Sequence, residues 1–294
     1  MRGRKGKIGT LLSFAKVVAK LSREYDVIVL YSLRLLPLAM AIRTARPTAR
    51  IVLNLHDAPI GMDRLLTRFF LSFTDCTIAI SQFVIDHLRI KNAVIVPVPI
   101  ADIPVPTRTD SDSRPSAQTT LGIVGRIDPD KRIEVAIDAM RFLPARFHLN
   151  IYGDPAVADE SYMQDLRDRA GDSEQVTFCG YAKVERIYDE IDGVIVCNER
   201  EPSGRTVGEA MLRLKLVFAP DSGGAKEHFE NLISGFTYRA LDAEGLARAV
   251  ESAFDARQDT SLMRQLGREK MLAERSPRVV AQNYFAALER IANN

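Results

Sequence analysis

Two segments of the 294-residue chain place charged residues beside glycines at the ends of apolar runs. In the first, Leu121-Gly-Ile-Val-Gly-Arg126, a predicted strand ends in Gly125-Arg126, and Lys131 follows at the start of a helical pattern. A glycine-opened loop between a strand and a helix N-terminus is a favourable place for a phosphate. The guanidinium of Arg126 and the ammonium of Lys131 together suit a diphosphate, although a plain turn has the same pattern.

The second segment follows the predicted strand 193–197 and holds two glutamates with seven residues between them. Glu201 lies in the loop after the strand, and Glu209 lies in the helix that follows. The residues that open this helix are Ser203, Gly204, Arg205 and Thr206. Because backbone N–H groups make a helix start positive, an anion is stabilised there. The two carboxylates suit hydrogen bonds to hydroxyl groups on either side of a bound phosphate; two surface glutamates are the alternative.

One of the four histidines lies where a site residue is expected. His56 follows the predicted strand 51–55, and ligands bind at the carboxyl ends of strands in parallel sheets. A third turn with two glycines, Asp221-Ser-Gly-Gly224, reads by itself as an ordinary connection between a strand and a helix. The histidines and cysteines do not have metal-ligand spacing, so neither a metal site nor a cofactor is predicted.

Composition restricts the class of protein. Hydrophobic residues make up 46% and charged residues 27%, which indicates a globular chain with a large core. No uncharged apolar run reaches about 18 residues, so no transmembrane helix is predicted. Cys76, Cys179 and Cys197 are odd in number and far apart, which favours a reducing compartment over a disulfide framework.

Strand and helix patterns alternate along almost the whole chain. Short apolar runs predict strands at 26–31, 51–55, 76–80, 93–98, 121–124, 147–152, 176–179, 193–197 and 216–219. Apolar residues at i, i+3, i+4 spacing predict helices at 11–21, 35–42, 83–88, 133–142, 162–169 and 185–191, and a last helix is predicted at 277–292. Apolar strands that alternate with helices predict an α/β fold with parallel sheets covered on both faces.

A segment rich in Pro, Ser, Thr and Asp, 104–118, predicts a linker between two domains. It separates an N-terminal domain, 1–103, from a C-terminal domain, 119–276. A final helix within 277–294 is expected to pack back on the N-terminal domain. Each domain has the pattern of a doubly wound Rossmann-like fold, and we expect the ligand site in a cleft between the two.

The net charge of +2 conceals a basic N-terminal block. Residues 1–50 contain eleven Lys and Arg residues and two acids, a balance of +9. Such a block indicates an anionic partner, which could be a phosphorylated acceptor, a nucleic acid or an anionic membrane surface, or it is a solvated helix face. Nucleic acid is disfavoured because base-stacking aromatic residues do not interleave with the basic ones. The helical pattern at 11–21 either docks on anionic lipid or packs on the sheet.

Five segments between residues 125 and 227 together resemble the retaining GT-B glycosyltransferases of the family 4 type, glycosyl transferases group 1. The segments are Gly125-Arg126 with Lys131, Ile151-Tyr-Gly-Asp154, Val176-Thr-Phe-Cys-Gly180, Glu201-Pro-Ser-Gly-Arg-Thr-Val-Gly-Glu-Ala-Met211 and Gly223-Gly-Ala-Lys-Glu227. They occur in the order and at the approximate spacing of the family. The resemblance implies a GT-B fold of two Rossmann-like domains.

The resemblance also implies roles for the matching residues. Arg126 and Lys131 match the pair that grips the donor diphosphate, and Glu209 matches the acid that binds the ribose hydroxyls. Glu201 matches the acid that faces the donor sugar, and His56 matches a histidine that many members keep. The other implied donor-binding residues are Gly125, Ser203, Gly204, Arg205 and Thr206 near the diphosphate and Tyr181 and Ala182 near the base. Neither a metal nor a protein nucleophile is implied.

The chain also departs from the family pattern. Its N-terminal, acceptor-side domain is shorter than usual, Tyr31 stands roughly where a histidine is often found, and Ser203 replaces a usual aromatic residue. Either the chain begins at an internal Met of a longer protein, or a partner chain supplies the missing part, or nucleotide binding persists without transfer. An incomplete sheet with an open edge predicts a homo-oligomer or a partner chain.

The residues and the resemblance therefore leave two candidate functions. The leading hypothesis is a retaining glycosyltransferase of the hexosyltransferase type, which moves a sugar from a nucleotide-sugar donor to a carbohydrate or lipid-linked acceptor. The alternative is a non-catalytic nucleotide-sugar-binding subunit that needs a partner. The expected location is the cytoplasm, or the inner face of the membrane when the acceptor is lipid-linked.

Overall fold

The computed structural model describes residues 16–21, 23–102, 104, 118–155, 160–255 and 259–293. The chain forms two compact units: the first is Met1–Pro97 with Ala281–Asn294, and the second is Val98–Val280. Most of the predicted linker, residues 105–117, lies outside the described residues, as does the start of the predicted helix 11–21. The part of that helix from 16 to 21 is helical.

The first unit contains a parallel sheet whose described strands lie in the order of the chain. The strands are β1 (Val27–Leu30), β2 (Arg50–Leu55), β3 (Cys76–Ala79) and β4 (Ala93–Ile95), and the helices that follow the first three are α1 (Leu36–Ala45), α2 (Gly61–Leu71) and α3 (Gln82–Leu88). Five consecutive residues of β2 are buried, which is the pattern of a strand covered on both faces.

The second unit contains a six-stranded sheet in the order β10-β9-β8-β5-β6-β7, and every pairing in it is parallel. The strands are β5 (Thr119–Val124), β6 (Phe147–Tyr152), β7 (Val176–Gly180), β8 (Gly193–Ile195), β9 (Leu216–Pro220) and β10 (Phe236–Tyr238). The helices are α4 (Ile133–Met140), α5 (Glu160–Ala170), α6 (Val184–Glu190), α7 (Arg205–Leu212), α8 (Ala243–Ala253), α9 (Ser261–Arg275) and α10 (Pro277–Asn293). The α/β class with two Rossmann-like units is confirmed.

Two separate clusters of buried side chains cover the two faces of the second sheet. One cluster includes Ile137 of α4 together with Phe147 and Phe218 of the sheet. The other includes Met211 of α7 and Tyr188 of α6. Helices α4 and α7 therefore lie on opposite faces, which gives this unit three layers.

The end of α10 belongs to the first unit. The Tyr284 and Tyr31 hydroxyl oxygens lie 2.5 Å apart, and the Arg50 guanidinium donates a hydrogen bond to the carbonyl of Ile291. Among the described helices of the chain, none has the length and apolar character needed to cross a membrane.

Candidate active site

The order of strands in the second unit reverses beside β5. The chain runs from β5 to β6 and β7 on one side, then returns to place β8 on the other side of β5. At such a switch point the two neighbouring loops leave the sheet on opposite faces, and ligands bind in the crevice between them. The loops after β5 and β8 are those that carry the predicted charged residues.

The loop after β5 makes a tight turn at Gly125 and leaves the Arg126 side chain exposed. Gly125 has φ 143°, a value that favours glycine, and its N–H donates to the carbonyl of Tyr152 at 3.0 Å. The Arg126 side chain is 69% exposed, and its Nε donates to Asp128 Oδ2 at 2.8 Å. Asp128 is buried and also caps the short 3₁₀ turn Pro129–Lys131. The Asp128 carboxylate thus helps to orient the Arg126 guanidinium, while most of the side chain remains exposed.

Lys131 joins the two loops of the switch point. It ends the 3₁₀ turn, and α4 begins two residues later at Ile133, where the predicted helix 133–142 also begins. Lys131 Nζ donates to Glu201 Oε2 at 2.8 Å. Asn198 Nδ2 lies 3.4 Å from the same oxygen, and the N–H of Gly204 lies 3.4 Å from Glu201 Oε1. The contact with Asn198 was not expected from the sequence.

The loop after β9 contacts the backbone of Glu201. The N–H of Gly224 donates to the Glu201 carbonyl at 2.6 Å. Gly223 has φ 76°, and a Cβ there would lie only 3.1 Å from the Glu201 backbone nitrogen. The two glycines, which the sequence marked only as an ordinary turn, therefore allow two loops to approach closely and fix the backbone of Glu201.

The start of α7 is packed against the next loop. Gly204 has φ 72°, and a Cβ on it would come within 2.6 Å of Ala225 Cα. The carbonyl of Ser203 accepts a hydrogen bond from Nε2 of His228, which is fully buried. Burial, with the nearby charge of Arg275, lowers the pKa of His228 to about 3, so the ring is neutral near pH 7. The backbone N–H groups at this helix start are consequently held in one position.

Glu209 is a buried carboxylate with two side-chain partners. It accepts from Arg205 Nε at 2.8 Å and from the Tyr188 hydroxyl at 3.0 Å. Burial, followed by the charge of Glu209, raises the pKa of Tyr188 well above its ordinary value, so the hydroxyl keeps its proton and donates it. The sequence analysis did not single out Tyr188, because a tyrosine at helical spacing is indistinguishable from a core residue.

A cavity of about 370 Å³ lies beside the β5 loop in the second unit. Gly125, Arg126, Tyr181 and Ala182 line it, together with Asp154. The Tyr181 side chain is 80% exposed, so one face of its ring is free to stack on a planar group. Four residues predicted from the sequence thus surround one cavity, while Glu201 and Glu209 are not among its lining residues.

The predicted site residues fall into three contact groups within the second unit. The cavity holds Gly125, Arg126, Tyr181 and Ala182; the switch-point contact joins Lys131, Glu201 and Gly204; and the helix start joins Ser203, Arg205, Thr206 and Glu209. His56 lies in the first unit, directly after β2, and its side chain is exposed. Within the described ranges, no three His, Cys, Asp or Glu side chains cluster as metal ligands.

Three solved structures are similar to this chain over most of their length. HepE from Anabaena, in complex with UDP and glucose, is 20% identical with a TM-score of 0.81, over 94% of this chain and 80% of that chain. Sucrose-phosphate synthase from Thermosynechococcus elongatus is 18% identical with a TM-score of 0.81, over 95% and 78% of the two chains. A glycosyltransferase from Rickettsia africae is 18% identical with a TM-score of 0.78, over 96% and 82%. These similarities establish the GT-B fold.

Sequence comparison assigns the family. No curated protein sequence matches the chain significantly. Residues 108–270, more than half of the chain, match the family described as glycosyl transferases group 1. The matched range contains all six strands of the second sheet and the three contact groups. The chain belongs to the glycosyl transferases group 1 family.

Proposed function

We propose that this protein is a retaining nucleotide-sugar glycosyltransferase of the family 4 type. It transfers a sugar from a nucleoside-diphosphate sugar to a hydroxyl of a carbohydrate or lipid-linked acceptor. The observation that carries the proposal is the contact between Lys131 and Glu201 across the switch point. It places a cation suited to a diphosphate beside a carboxylate suited to sugar hydroxyls, at the edge of the sheet where ligands bind.

The donor is held by the three contact groups. Arg126, Lys131 and the start of α7 bind the diphosphate, because two cations and oriented N–H groups offset its charge. Glu209 accepts hydrogen bonds from the ribose hydroxyls, and Tyr181 stacks beside the base. Structures of HepE contain UDP and UDP-glucose, which supports a donor of this class.

The chemistry follows from where charge develops. The bond between the anomeric carbon and the diphosphate oxygen breaks, and negative charge accumulates on that oxygen. Arg126, Lys131 and the helix start stabilise the charge without rearranging, which lowers the barrier. The acceptor oxygen bonds to the anomeric carbon on the face from which the diphosphate leaves, and its proton passes to the departing oxygen. We assign His56, in the first unit, a role in sugar transfer.

A non-catalytic nucleotide-sugar-binding subunit is the second candidate. The chain covers 78–82% of HepE, sucrose-phosphate synthase and the Rickettsia glycosyltransferase. The described strands of the first unit, four in number, are also fewer than the six of the second. In this case the three contact groups bind the donor, and a partner chain completes the acceptor side.

Ligand-induced stabilisation tests donor binding. Thermal unfolding is measured with a panel of nucleoside diphosphates and nucleotide sugars. A ligand at 100 times its Kd adds about 2.7 kcal/mol to the free energy of unfolding. We expect a selective rise in Tm with one nucleotide sugar and its loss in Glu209→Ala. No rise with any compound would contradict both candidate functions.

Hydrolysis of the bound donor in the absence of acceptor separates the two candidates. We expect slow release of free sugar, reduced about 10²-fold in Glu201→Gln. Glu199→Gln is the matched control, since Glu199 lies in the same loop and contacts Arg132 at 3.6 Å instead of Lys131. Selective donor binding without hydrolysis or transfer by the wild type would favour the non-catalytic subunit.

A further inference from the structure

Helix α2 exposes its apolar face instead of burying it. Met62, Leu65, Leu66 and Phe69 have side chains 48–68% exposed, and they recur at the i, i+3, i+4, i+7 spacing that places residues on one face. The only buried residue of the helix is Thr67. At 3.6 residues per turn, Thr67 lies nearly opposite that face. Packing on the first sheet therefore does not account for the apolar stripe.

Aromatic rings extend the apolar face at the end of α2. The ring centroids of Phe69 and Phe70 lie 5.2 Å apart, and those of Phe69 and Phe73 lie 5.7 Å apart, both edge to face. Ile60, directly before the helix, is 51% exposed. A contiguous exposed patch of this kind marks an interaction site on a folded protein.

A cationic cavity adjoins the last turn of the same helix. It has a volume of about 380 Å³, and Arg68, Arg89 and Lys91 contribute its three cations. None of these three side chains makes an ion pair with another residue of the described chain. The acid that lines the cavity, Asp75, is 2.5 Å from Arg43 Nη2 and accepts from the N–H of Ile51 at 2.6 Å. Its charge is therefore offset, and the cavity is left positive.

We propose that the docking surface formed by Met62, Leu65, Leu66, Phe69, Arg68, Arg89 and Lys91 binds the surface of an anionic lipid bilayer. The apolar face of α2 enters the boundary between headgroups and acyl chains, as an amphipathic helix does when it lies in the membrane plane. The cations at its end contact lipid phosphates, to which Lys and Arg near an anionic surface are attracted.

Charge favours a bilayer over a second copy of the chain. In a two-fold dimer the surface meets a copy of itself, which brings three further cations to the interface but only one acid of the helix, Asp63. An anionic bilayer instead pairs every cation and covers the apolar stripe. Asp63, in the first turn of α2, is the one acid on the helix and lies five positions before Arg68.

The docking surface is separate in sequence from the basic block predicted to bind lipid. Within the first seven residues that block carries Arg2, Arg4, Lys5 and Lys7. The two regions predict different effects of salt and of apolar side chains on vesicle binding. The basic block attracts lipid by charge alone, whereas α2 adds a dependence on apolar side chains that high salt does not remove.

Cosedimentation with vesicles tests the proposal. The full chain is mixed with vesicles of phosphatidylcholine alone or of phosphatidylcholine with phosphatidylglycerol. We expect binding to the anionic vesicles only, about tenfold weaker in the double variant Leu65→Ser/Phe69→Ser. The triple variant Arg68→Gln/Arg89→Gln/Lys91→Gln should bind on the order of a hundredfold more weakly at low salt, at about fivefold per cation.

Matched variants control for general loss of charge or apolar surface. Leu262→Ser removes an equally exposed leucine, 63% exposed, from the second unit. The triple variant Arg141→Gln/Arg186→Gln/Arg248→Gln removes three cations from the second unit, each with a side chain at least 62% exposed. Both controls should bind anionic vesicles like the wild type. Urea unfolding of all variants checks that the fold is retained.

Three outcomes would overturn the proposal. The first is that the wild type does not bind anionic vesicles. The second is that binding is lost when Arg2, Arg4, Lys5 and Lys7 are changed to Gln but is retained in Leu65→Ser/Phe69→Ser, which would assign lipid binding to the basic block. The third is that sedimentation shows a dimer abolished by Leu65→Ser/Phe69→Ser while vesicle binding is unchanged, which would assign the surface to a second copy.

Discussion

The two sheets of the molecule differ in strand order, and with it in how their strand ends are organised. In the second unit the order reverses beside β5, and the loops that leave there hold Lys131 against Glu201. In the first unit the described strands lie in chain order, and His56, after β2, is exposed. A parallel sheet provides a crevice for ligand where its connections reverse. The second unit therefore brings charged side chains from two loops into contact at its switch point, and this contrast leads to four predictions.

The largest effect is expected from the cations of the second unit. Arg126→Ala and Lys131→Ala should each lower kcat/KM by about 10²- to 10³-fold, because under the proposed function each removes a group that stabilises the developing negative charge. Steady-state kinetics with the preferred donor measures this. Arg126→Ala should leave Tm almost unchanged since the side chain is 69% exposed. Arg141→Ala, 63% exposed in the same unit, is the control, and an equal loss of activity there would refute the assignment.

The next effect concerns stability at two glycines with positive φ. Gly204→Ala should lower the free energy of unfolding by about 3 kcal/mol, since it adds overpacking against Ala225 to the cost of a left-handed backbone. Gly61→Ala in the first unit, φ 56° with open space around it, should cost only about 1 kcal/mol. Urea unfolding measures both values. Equal losses would show that the close packing at the α7 start contributes nothing.

A smaller effect is expected from acid. The folded pKa of His228 is about 3 and lies below the unfolded value of about 6.5, so the unfolded chain binds the extra proton first. The contribution of neutral His228 to the free energy of unfolding is complete above about pH 6.5. It falls as the pH decreases toward 3, by up to about 1.4 kcal/mol per pH unit. Urea unfolding at pH 7 and pH 5 should show this slope in the wild type and a reduced slope in His228→Gln.

The control for the acid effect lies in the first unit. His56→Gln removes an exposed histidine and should keep the slope of the wild type. If the slope were unchanged in His228→Gln but reduced in His56→Gln, the loss of stability in acid would come from the first unit and not from the buried histidine of the second.

The smallest effect is expected at Tyr188. Tyr188→Phe removes the hydroxyl that donates to Glu209 and should weaken donor binding about fivefold, the value of one hydrogen bond of about 1 kcal/mol. Titration calorimetry measures the Kd. Tyr162→Phe is the matched control, because its hydroxyl donates to Glu134 at 2.5 Å, away from the three contact groups. Similar losses in both variants would mean that the effect does not depend on the hydrogen bond between Tyr188 and Glu209.

Much of the fold could be predicted from the sequence because it depends on local pattern. The predicted strand 147–152 is β6 to the residue, and each other predicted strand is present with ends shifted by up to three residues. β10 was missed because Thr237 separates its two apolar residues, Phe236 and Tyr238, so they form no continuous apolar run. Helices α2, α8 and α9 were not predicted, although the apolar residues of α2 have the spacing of a helix.

The candidate site, like the fold, could be predicted from the sequence only in part. The sequence by itself determined which residues stand at strand ends and helix starts, and these included Arg126, Lys131, Glu201 and Glu209. Only the tertiary structure decided which of them meet, because the order of strands in a sheet is set by long-range packing and not by neighbours in the chain. Placing β8 beside β5 brings Lys131 to Glu201 across 70 positions of sequence. The partners Tyr188 and His228 likewise became visible only once burial showed which hydrogen bonds had to be made inside the protein.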